Sequence, residues 1–261
     1  MRFDIITLFP ELFAPLLSSG VTRRAYESGQ VQVRLWDLRE HGEGPYRRVD
    51  DRPYGGGPGM VMLAEPLLQC LERIRADRPD RAPVLLFSPL GRVLDHAAVS
   101  DWAASAGAIL ICGRYEGLDQ RFIDAHVDAQ VSLGDFVLSG GEIAAMALLD
   151  AVARLQPGVL HDEGSHQQDS FNPELDGLLD CPHYSRPEVW RAKAVPAALT
   201  SGHHAQIAQW RRQQSLRLSA HHRPDLVEQA RSQGLLSKAD LAYLDGLAHG
   251  EAEGQGTGAT P

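Results

Sequence analysis

Lysine is nearly absent from this chain. Of 25 basic residues, only Lys193 and Lys238 are lysine, and the other 23 are arginine. A biased codon supply accounts for that excess, although arginine is also the better bidentate reader of phosphate and guanine. Cysteine is scarce as well. Cys70, Cys112 and Cys181 are odd in number and too widely spaced for a zinc site of the C-x-x-C kind. They exclude a disulfide scaffold and read as free thiols in a reducing compartment. No apolar run approaches the ~20 residues of a membrane span. The first residues carry charges at positions 2, 4 and 11 and lack a small-residue cleavage site, so they do not read as a signal peptide. A cytoplasmic protein without membrane contact is expected. Net positive charge is missing too: 34 acidic residues leave the chain at -9. At first sight this argues against a nucleic-acid partner, which normally requires a basic footprint.

What is present is an ordinary globular composition over 261 residues, 43% apolar and 23% charged, enough for a real core in one or two domains. Strand-like and helix-like patterns alternate over the first ~155 residues. Strands are predicted at Phe3 to Leu8, Val31 to Trp36, Val84 to Phe87, Ala108 to Cys112 and Val127 to Leu133. Helices are predicted at Glu11 to Ser19, Ala64 to Ile74, Asp95 to Ala104 and Glu142 to Leu155. Such βα alternation implies a parallel sheet with helices on both faces, and ligands of these sheets sit beyond the carboxyl ends of the strands. Three glycine-bearing turns end three of the strands: Ser88–Gly91, Gly113–Gly117 and Gly134–Gly141. If those strands are neighbours, the turns form one pocket. Glycine there lets main-chain groups reach a planar ligand such as adenine, with Leu133, Val137 and Leu138 as apolar walls. Asp50 to Met60 holds four glycines within five positions, but it does not follow a predicted strand and is a poor dinucleotide fingerprint. It reads either as a mobile surface loop or as a place of close backbone approach.

Residues 156 to 185 break the alternation, and a structureless stretch that long is usually a functional loop or linker. Beyond it helices are predicted at His203 to Leu218 and Pro224 to Arg231, with a capping signal at Ser237 for a last one. Charge is unevenly divided. Arg186 to Gly246 carries nine basic and five acidic residues, a net of +4, so the remainder carries -13. An acidic α/β body with a basic helical appendage suits an enzyme whose second domain grips a polyanion.

Seven stretches, in order, resemble one family: Asp50–Met60, Gly113–Gly117, Leu138–Glu142, Asp150–Arg154, Asp169–Phe171, Leu178–Tyr184 and Ser201–His204. The chain is similar, from about residue 1 to 245, to the TrmD family of bacterial tRNA (guanine-N1)-methyltransferases in the SPOUT superfamily. The resemblance implies an α/β SPOUT fold with a parallel sheet and a deep trefoil knot, plus a small C-terminal all-α domain. It divides the chain into a catalytic domain at 1–160, a flexible linker at 161–185, a helical tRNA-binding domain at 186–246 and a disordered tail at 247–261. It implies a homodimer with shared active sites. The implied reaction moves a methyl group from S-adenosylmethionine to N1 of the guanine at tRNA position 37, 3′ of the anticodon.

By position, Asp169 matches the family's general base and Arg154 the residue that stabilises developing charge. From residue type alone, Asp162, Glu163, Asp176 and Asp180 rival Asp169, and Arg154 could be a helix C-terminal dipole partner. The methyl donor would be held by Ser88, Pro89, Gly91, Gly113, Tyr115, Glu116, Gly117, Leu133, Gly134, Asp135, Phe136, Val137, Leu138, Ser139, Gly140 and Gly141. Candidate tRNA contacts are Arg52, Tyr54, His183, Arg186, Ser201, His203, Arg211 and Arg217. Mg²⁺ is implied, with Glu116 and Asp169 as oxygen ligands or near neighbours. The sequence departs from the family pattern at Leu133, Phe136 and Ala144, where Ile, Tyr and Pro are expected, and in a longer segment at 171–177. The alternatives are a SPOUT enzyme acting on another RNA position, an inactive RNA-binding relative, and a nicotinamide-dependent dehydrogenase, which lacks its fingerprint.

Overall fold

The computed structural model describes residues 1–160 and 167–254, with side chains to 247. The chain divides into two units, residues 1–161 and 162–261. In the first, β1 (Arg2–Thr7), α1 (Ala14–Ser18), α2 (Arg23–Glu27) and β2 (Gln32–Asp37) lead to a short antiparallel pair, β3 (Asp50–Asp51) and β4 (Val61–Met62). Then come α3 (Ala64–Asp77), β5 (Val84–Val93), α4 (His96–Ala103), β6 (Ile109–Ile111), α5 (Gln120–His126), β7 (Ala129–Ser132) and α6 (Glu142–Arg154). The five-stranded sheet has the order β2-β1-β6-β5-β7 and is parallel throughout, as the alternation implied.

Side chains of a strand alternate between the two faces of its sheet, and two cores result. Phe3 and Ile5 of β1, Leu85 of β5 and Leu110 of β6 enter one core with Leu148, Leu149 and Val152 of α6. Ile6, Val84, Leu86, Ile109 and Ile111 enter the other with Leu67, Leu71 and Ile74 of α3 and Phe122 of α5. Asp4 points to this second face and is wholly buried. It accepts hydrogen bonds from Arg2 Nε and Nη2 (2.9 and 2.7 Å), Arg78 Nη1 (2.7 Å) and Trp36 Nε1 (2.8 Å). The Arg78 side chain is only 1% exposed.

Several elements differ from expectation. The helix predicted at Glu11 to Ser19 is a 3-10 turn at Pro10–Phe13 followed by the shorter α1. The strand predicted to stop at Phe87 resumes and runs to Val93. Phe87 and Arg92 both pair with Val131, so residues 88–91 are looped out of the ladder. The short helix α5 was not predicted, because seven residues give too little periodicity to read.

The second unit contains β8 (Val189–Trp190), β9 (Lys193–Ala194), α7 (Ala197–Thr200), α8 (His204–His222), α9 (Pro224–Ser232) and α10 (Lys238–Gly254). It is mainly helical, but β8 and β9 make a small antiparallel hairpin that an all-α expectation lacks. Its core gathers Leu178, Leu216, Val227, Ala230, Leu236 and Leu244. Leu178, assigned to a flexible linker by the sequence, is fully buried there. Leu179 N donates to Ser219 Oγ (2.9 Å), and Ser215 Oγ donates back to the Leu179 carbonyl. The segment 172–181 is thus packed onto the helices, because its apolar residues need the same core. Helix α10 continues to Gly254, past the expected start of the tail at 247. Residues 161–166 and 255–261 lie outside the described residues, and with them Asp162, Glu163 and the tail's end. Among the described residues, no helix is long and apolar enough to cross a membrane.

Candidate active site

Strands β6, β5 and β7 are neighbours, so the three turns at their carboxyl ends do meet. They enclose a cavity of about 400 Å³. Ser88, Pro89, Gly113, Tyr115, Glu116, Gly117, Leu133, Gly134 and the run Phe136 to Gly141 all line it. Two predicted residues do not. Gly91 is a packing glycine: a Cβ there would lie 2.3 Å from Val131 N on the neighbouring strand. Asp135 is exposed, and its charge faces water. The turns are tied together by backbone. Gly141 N donates to the Gly113 carbonyl (2.9 Å), and Arg114 bridges Gly140. Gly141 has no room for a side chain, since a Cβ would sit 2.8 Å from Cys112 Cα.

Sequence reasoning missed the apolar floor of the cavity: Leu86, Phe87, Leu118, Ile123, Val131 and Ala144. Most of these are strand or helix residues whose patterning signals only burial. Arg114, also on the wall, lay inside a recognised motif but had no chemistry of its own to mark it.

The glycine-rich stretch is a loop whose stem is β3 and β4. That stem is stitched to the β6 turn. Glu116 N donates to the Met60 carbonyl (3.0 Å) and Met62 N to the Gly117 carbonyl (2.9 Å). Burial and a hydrogen bond to Asp50 in the stem raise the Tyr115 phenol above its ordinary pKa. Gly55, Gly56, Gly57 and Gly59 all have positive φ, which favours glycine. Arg52 and Tyr54 are exposed on this loop.

Arg154 is the last residue of α6 in the first unit, and Asp169 belongs to the second. Two of the acidic rivals of Asp169 have structural partners. Asp176 accepts from Arg212 Nη2 (2.6 Å), and Asp180 holds the His183 ring (2.8 Å) and Cys181 N (2.6 Å). All three cysteines are buried and unbridged. Burial pushes the Cys70 thiol up to about 12, and it raises Cys112 and Cys181 too, so none supplies a thiolate nucleophile near neutral pH.

The basic residues of the second unit separate into two groups. Arg212 is clamped by Asp176 and Asp240, and Arg223 pairs with Asp225. Arg217 bonds the neutral amide of Gln214. Arg186, Arg191, Lys193 and Arg211 are exposed. Arg191 stacks on exposed Trp190, its guanidinium 5.0 Å from the ring centroid. His183 is exposed but bonded to Asp180; Ser201 accepts His203 N (3.1 Å), which shapes a turn, and His203 is exposed. Replacing exposed Arg211 by Ala is expected to weaken polyanion binding and lower its salt slope by about one ion, leaving stability unchanged. Arg212→Ala is expected to lower the melting temperature. Filter-binding titrations over a salt series and thermal melts separate the two; an equal effect on both readouts would discard this sorting.

Among the described residues, the one group of three side chains placed to share a metal ion is Asp180, Cys181 and His183, within 4.8 Å of one another. Sulfur and imidazole donors suit zinc-like ions rather than Mg²⁺, which takes oxygen ligands. No carboxylate cage for Mg²⁺ occurs among the described residues.

A parallel α/β unit with a glycine-walled cavity of about 400 Å³ at its strand ends, joined to a mainly helical unit with exposed arginines, defines a two-unit α/β class of protein. Similarity to known proteins gives the family. The family model described as tRNA (Guanine-1)-methyltransferase TrmD matches residues 1–229. A tRNA (guanine-N(1)-)-methyltransferase of Paracidovorax citrulli is 70% identical over 254 residues, covering 95% of this chain and 100% of that protein. One from Albidiferax ferrireducens is 70% identical over 244 residues (94% and 98%), and one from Bordetella parapertussis 56% over 252 (95% and 98%). The chain belongs to the TrmD tRNA (guanine-1)-methyltransferase family.

Proposed function

We propose that this chain transfers a methyl group from S-adenosylmethionine to N1 of guanine 37 of tRNA. The carrying observation is family membership over almost the whole chain, together with the strand-end cavity its motifs line. The cavity fits an adenosyl group: main-chain donors and acceptors at its glycine turns can meet the base edge, and apolar side chains can cover its faces. When bound, S-adenosylmethionine supplies a methyl group on a sulfonium, an electrophile.

Guanine N1 carries a proton at neutral pH and is then a poor nucleophile. Asp169 takes that proton as the N1–CH₃ bond forms and the S–CH₃ bond breaks. Negative charge spreads towards O6 as the proton leaves, and the Arg154 guanidinium stabilises it; an arginine fork suits guanine O6 and N7. Glu116 and Asp169 are the proposed neighbours of Mg²⁺, although the described residues offer it no fitted cage.

The trefoil knot, the homodimer with shared active sites and the cytoplasmic location belong to this reading. The knot is supported by the chain's return from β7, at the sheet edge, to the β6 turn, where Gly141 packs on Cys112. Exposed Arg186 and Arg211, with Arg52 and Tyr54 of the glycine-rich loop, supply phosphate and base contacts.

The deciding experiment is mass spectrometry of tRNA incubated with the protein and isotopically labelled methyl donor, comparing transcripts with and without guanine at position 37. Labelled 1-methylguanosine only in the first supports the proposal. A labelled product at another position would favour a different RNA target, and no product with intact tRNA binding would favour an inactive relative. Arg154→Ala is expected to cut the single-turnover rate by roughly 10²-fold or more while donor affinity changes little. Equal losses in both would give Arg154 a structural role instead.

A further inference from the structure

Behind the cavity lies a salt bridge that the proposed chemistry does not use. Glu142 opens α6 and is 1% exposed. Its Oε1 accepts from Thr7 Oγ1 (2.9 Å), and its Oε2 stands 2.9 Å from Arg114 Nη2. Thr7 closes β1 and is completely buried; its Oγ1 also accepts Phe9 N (3.0 Å). Arg114 then reaches in two further directions. Its Nη1 donates to the Ser139 carbonyl (3.1 Å), and its guanidinium carbon lies 4.4 Å from the centroid of the Phe9 ring. Four chain segments therefore meet on one ion pair: the end of β1, the 113–117 turn, the 138–141 turn and the start of α6.

We infer that Arg114 and Glu142 are positioning residues, which hold the two glycine turns at the separation the methyl donor requires and so set donor affinity without taking part in transfer. The inference rests on the reading of the cavity as the methyl-donor site.

Three observations carry it. The first is cost. A buried carboxylate is expensive unless it is paired, and an apolar pair of similar volume often stabilises a core as well or better. Stability alone therefore does not call for charge here, whereas fixed geometry does. The second is reach. The two turns are tied at their glycine ends by the hydrogen bond from Gly141 N to the Gly113 carbonyl, which leaves the spacing of their middle residues to side chains. Only the arginine fork spans from the Glu142 carboxylate to the Ser139 carbonyl, and a lysine offers one point of charge where two directions are needed. The third is fit. A Cβ at Gly140 would lie 2.2 Å from Arg114 Nε, so the second turn is shaped around the arginine stem. Through Arg114, which lines the cavity, a displacement of Glu142 reaches the ligand site directly.

The test uses the full chain carrying Glu142→Gln, Arg114→Lys or the milder Thr7→Val. Calorimetric titration with S-adenosylmethionine, single-turnover methylation at saturating donor and a thermal melt are measured for each. For Glu142→Gln, donor Kd is expected to rise about tenfold or more, as loss of the buried charge–charge contact with Arg114 implies, while the saturated rate stays within a few-fold. Arg114→Lys is expected to weaken donor binding to a similar extent although its charge is kept. Should Glu142→Gln fail to fold, Thr7→Val, which removes the donor to Glu142 and the acceptor of Phe9 N at little change in volume, is expected to give a smaller rise in Kd. A lowered melting temperature with unchanged Kd in the folded variants would overturn the inference, as would a saturated rate falling in step with affinity. If the unsubstituted chain binds no S-adenosylmethionine, the reading of the cavity fails instead, and the pair's role falls with it.

Discussion

Asp169→Ala is expected to lower single-turnover methylation by roughly 10²- to 10⁴-fold, the range a positioned general base contributes. The loss follows from the substrate. Guanine N1 holds its proton until something removes it, and water near neutrality does so poorly. Binding of S-adenosylmethionine is expected to survive, because the turns that line the cavity, at 88–90, 113–117 and 133–141, all belong to the first unit and Asp169 does not. Asp169→Asn is expected to behave like the alanine variant, since it keeps shape and loses basicity. Rapid-quench assays with labelled donor, paired with donor titration, provide the measurement. Full activity in either variant would remove Asp169 as the base, and parallel loss of donor binding would make its role structural.

The largest expected effect on stability lies at Asp4, far from any proposed chemistry. Asp4→Ala is expected to cost about 3–5 kcal/mol, the usual penalty for breaking a buried pair and leaving the other charge behind. The residue left behind is Arg78, whose side chain is 1% exposed and which keeps only Asp80 and the Arg2 carbonyl as partners. Trp36 Nε1 would lose its acceptor as well. Against a typical total of about 5–15 kcal/mol, such a loss is severe. Urea unfolding at fixed pH would measure it. A loss below about 1 kcal/mol would mean that water replaces the carboxylate. The double variant Asp4→Leu with Arg78→Leu is expected to recover much of the stability, because no charge is then buried alone.

Asp4 also shows where local reading stops. In the sequence it is one of three early charges that argue against a signal peptide. In the fold its strand faces α3, and the only way to bury a carboxylate there is to surround it with donors from positions 2, 36 and 78. None of those spacings is a motif. The arginines of the second unit teach the same lesson. Arg211 and Arg212 are adjacent and chemically identical, yet one is exposed and the other is clamped between Asp176 and Asp240. Successive residues of a helix point about 100° apart, so neighbours in sequence need not share an environment. Net charge over 186–246 counted both as available for a polyanion.

Alternating apolar residues and glycine punctuation were enough by themselves to determine a parallel α/β sheet with glycine-bearing turns at three strand ends. Those signals are local, set by the two-residue repeat of a strand and the left-handed backbone that glycine tolerates. The ordered motifs were likewise enough to identify the family. Tertiary structure alone decided which strands are neighbours, that β5 resumes after its loop, and that Gly91 packs against a strand and leaves the cavity wall to others. It also brought Thr7, Arg114 and Glu142 onto one buried pair across more than a hundred residues of chain. Those outcomes depend on burial shared between distant segments, and burial is a property of the packed whole that no window of sequence contains.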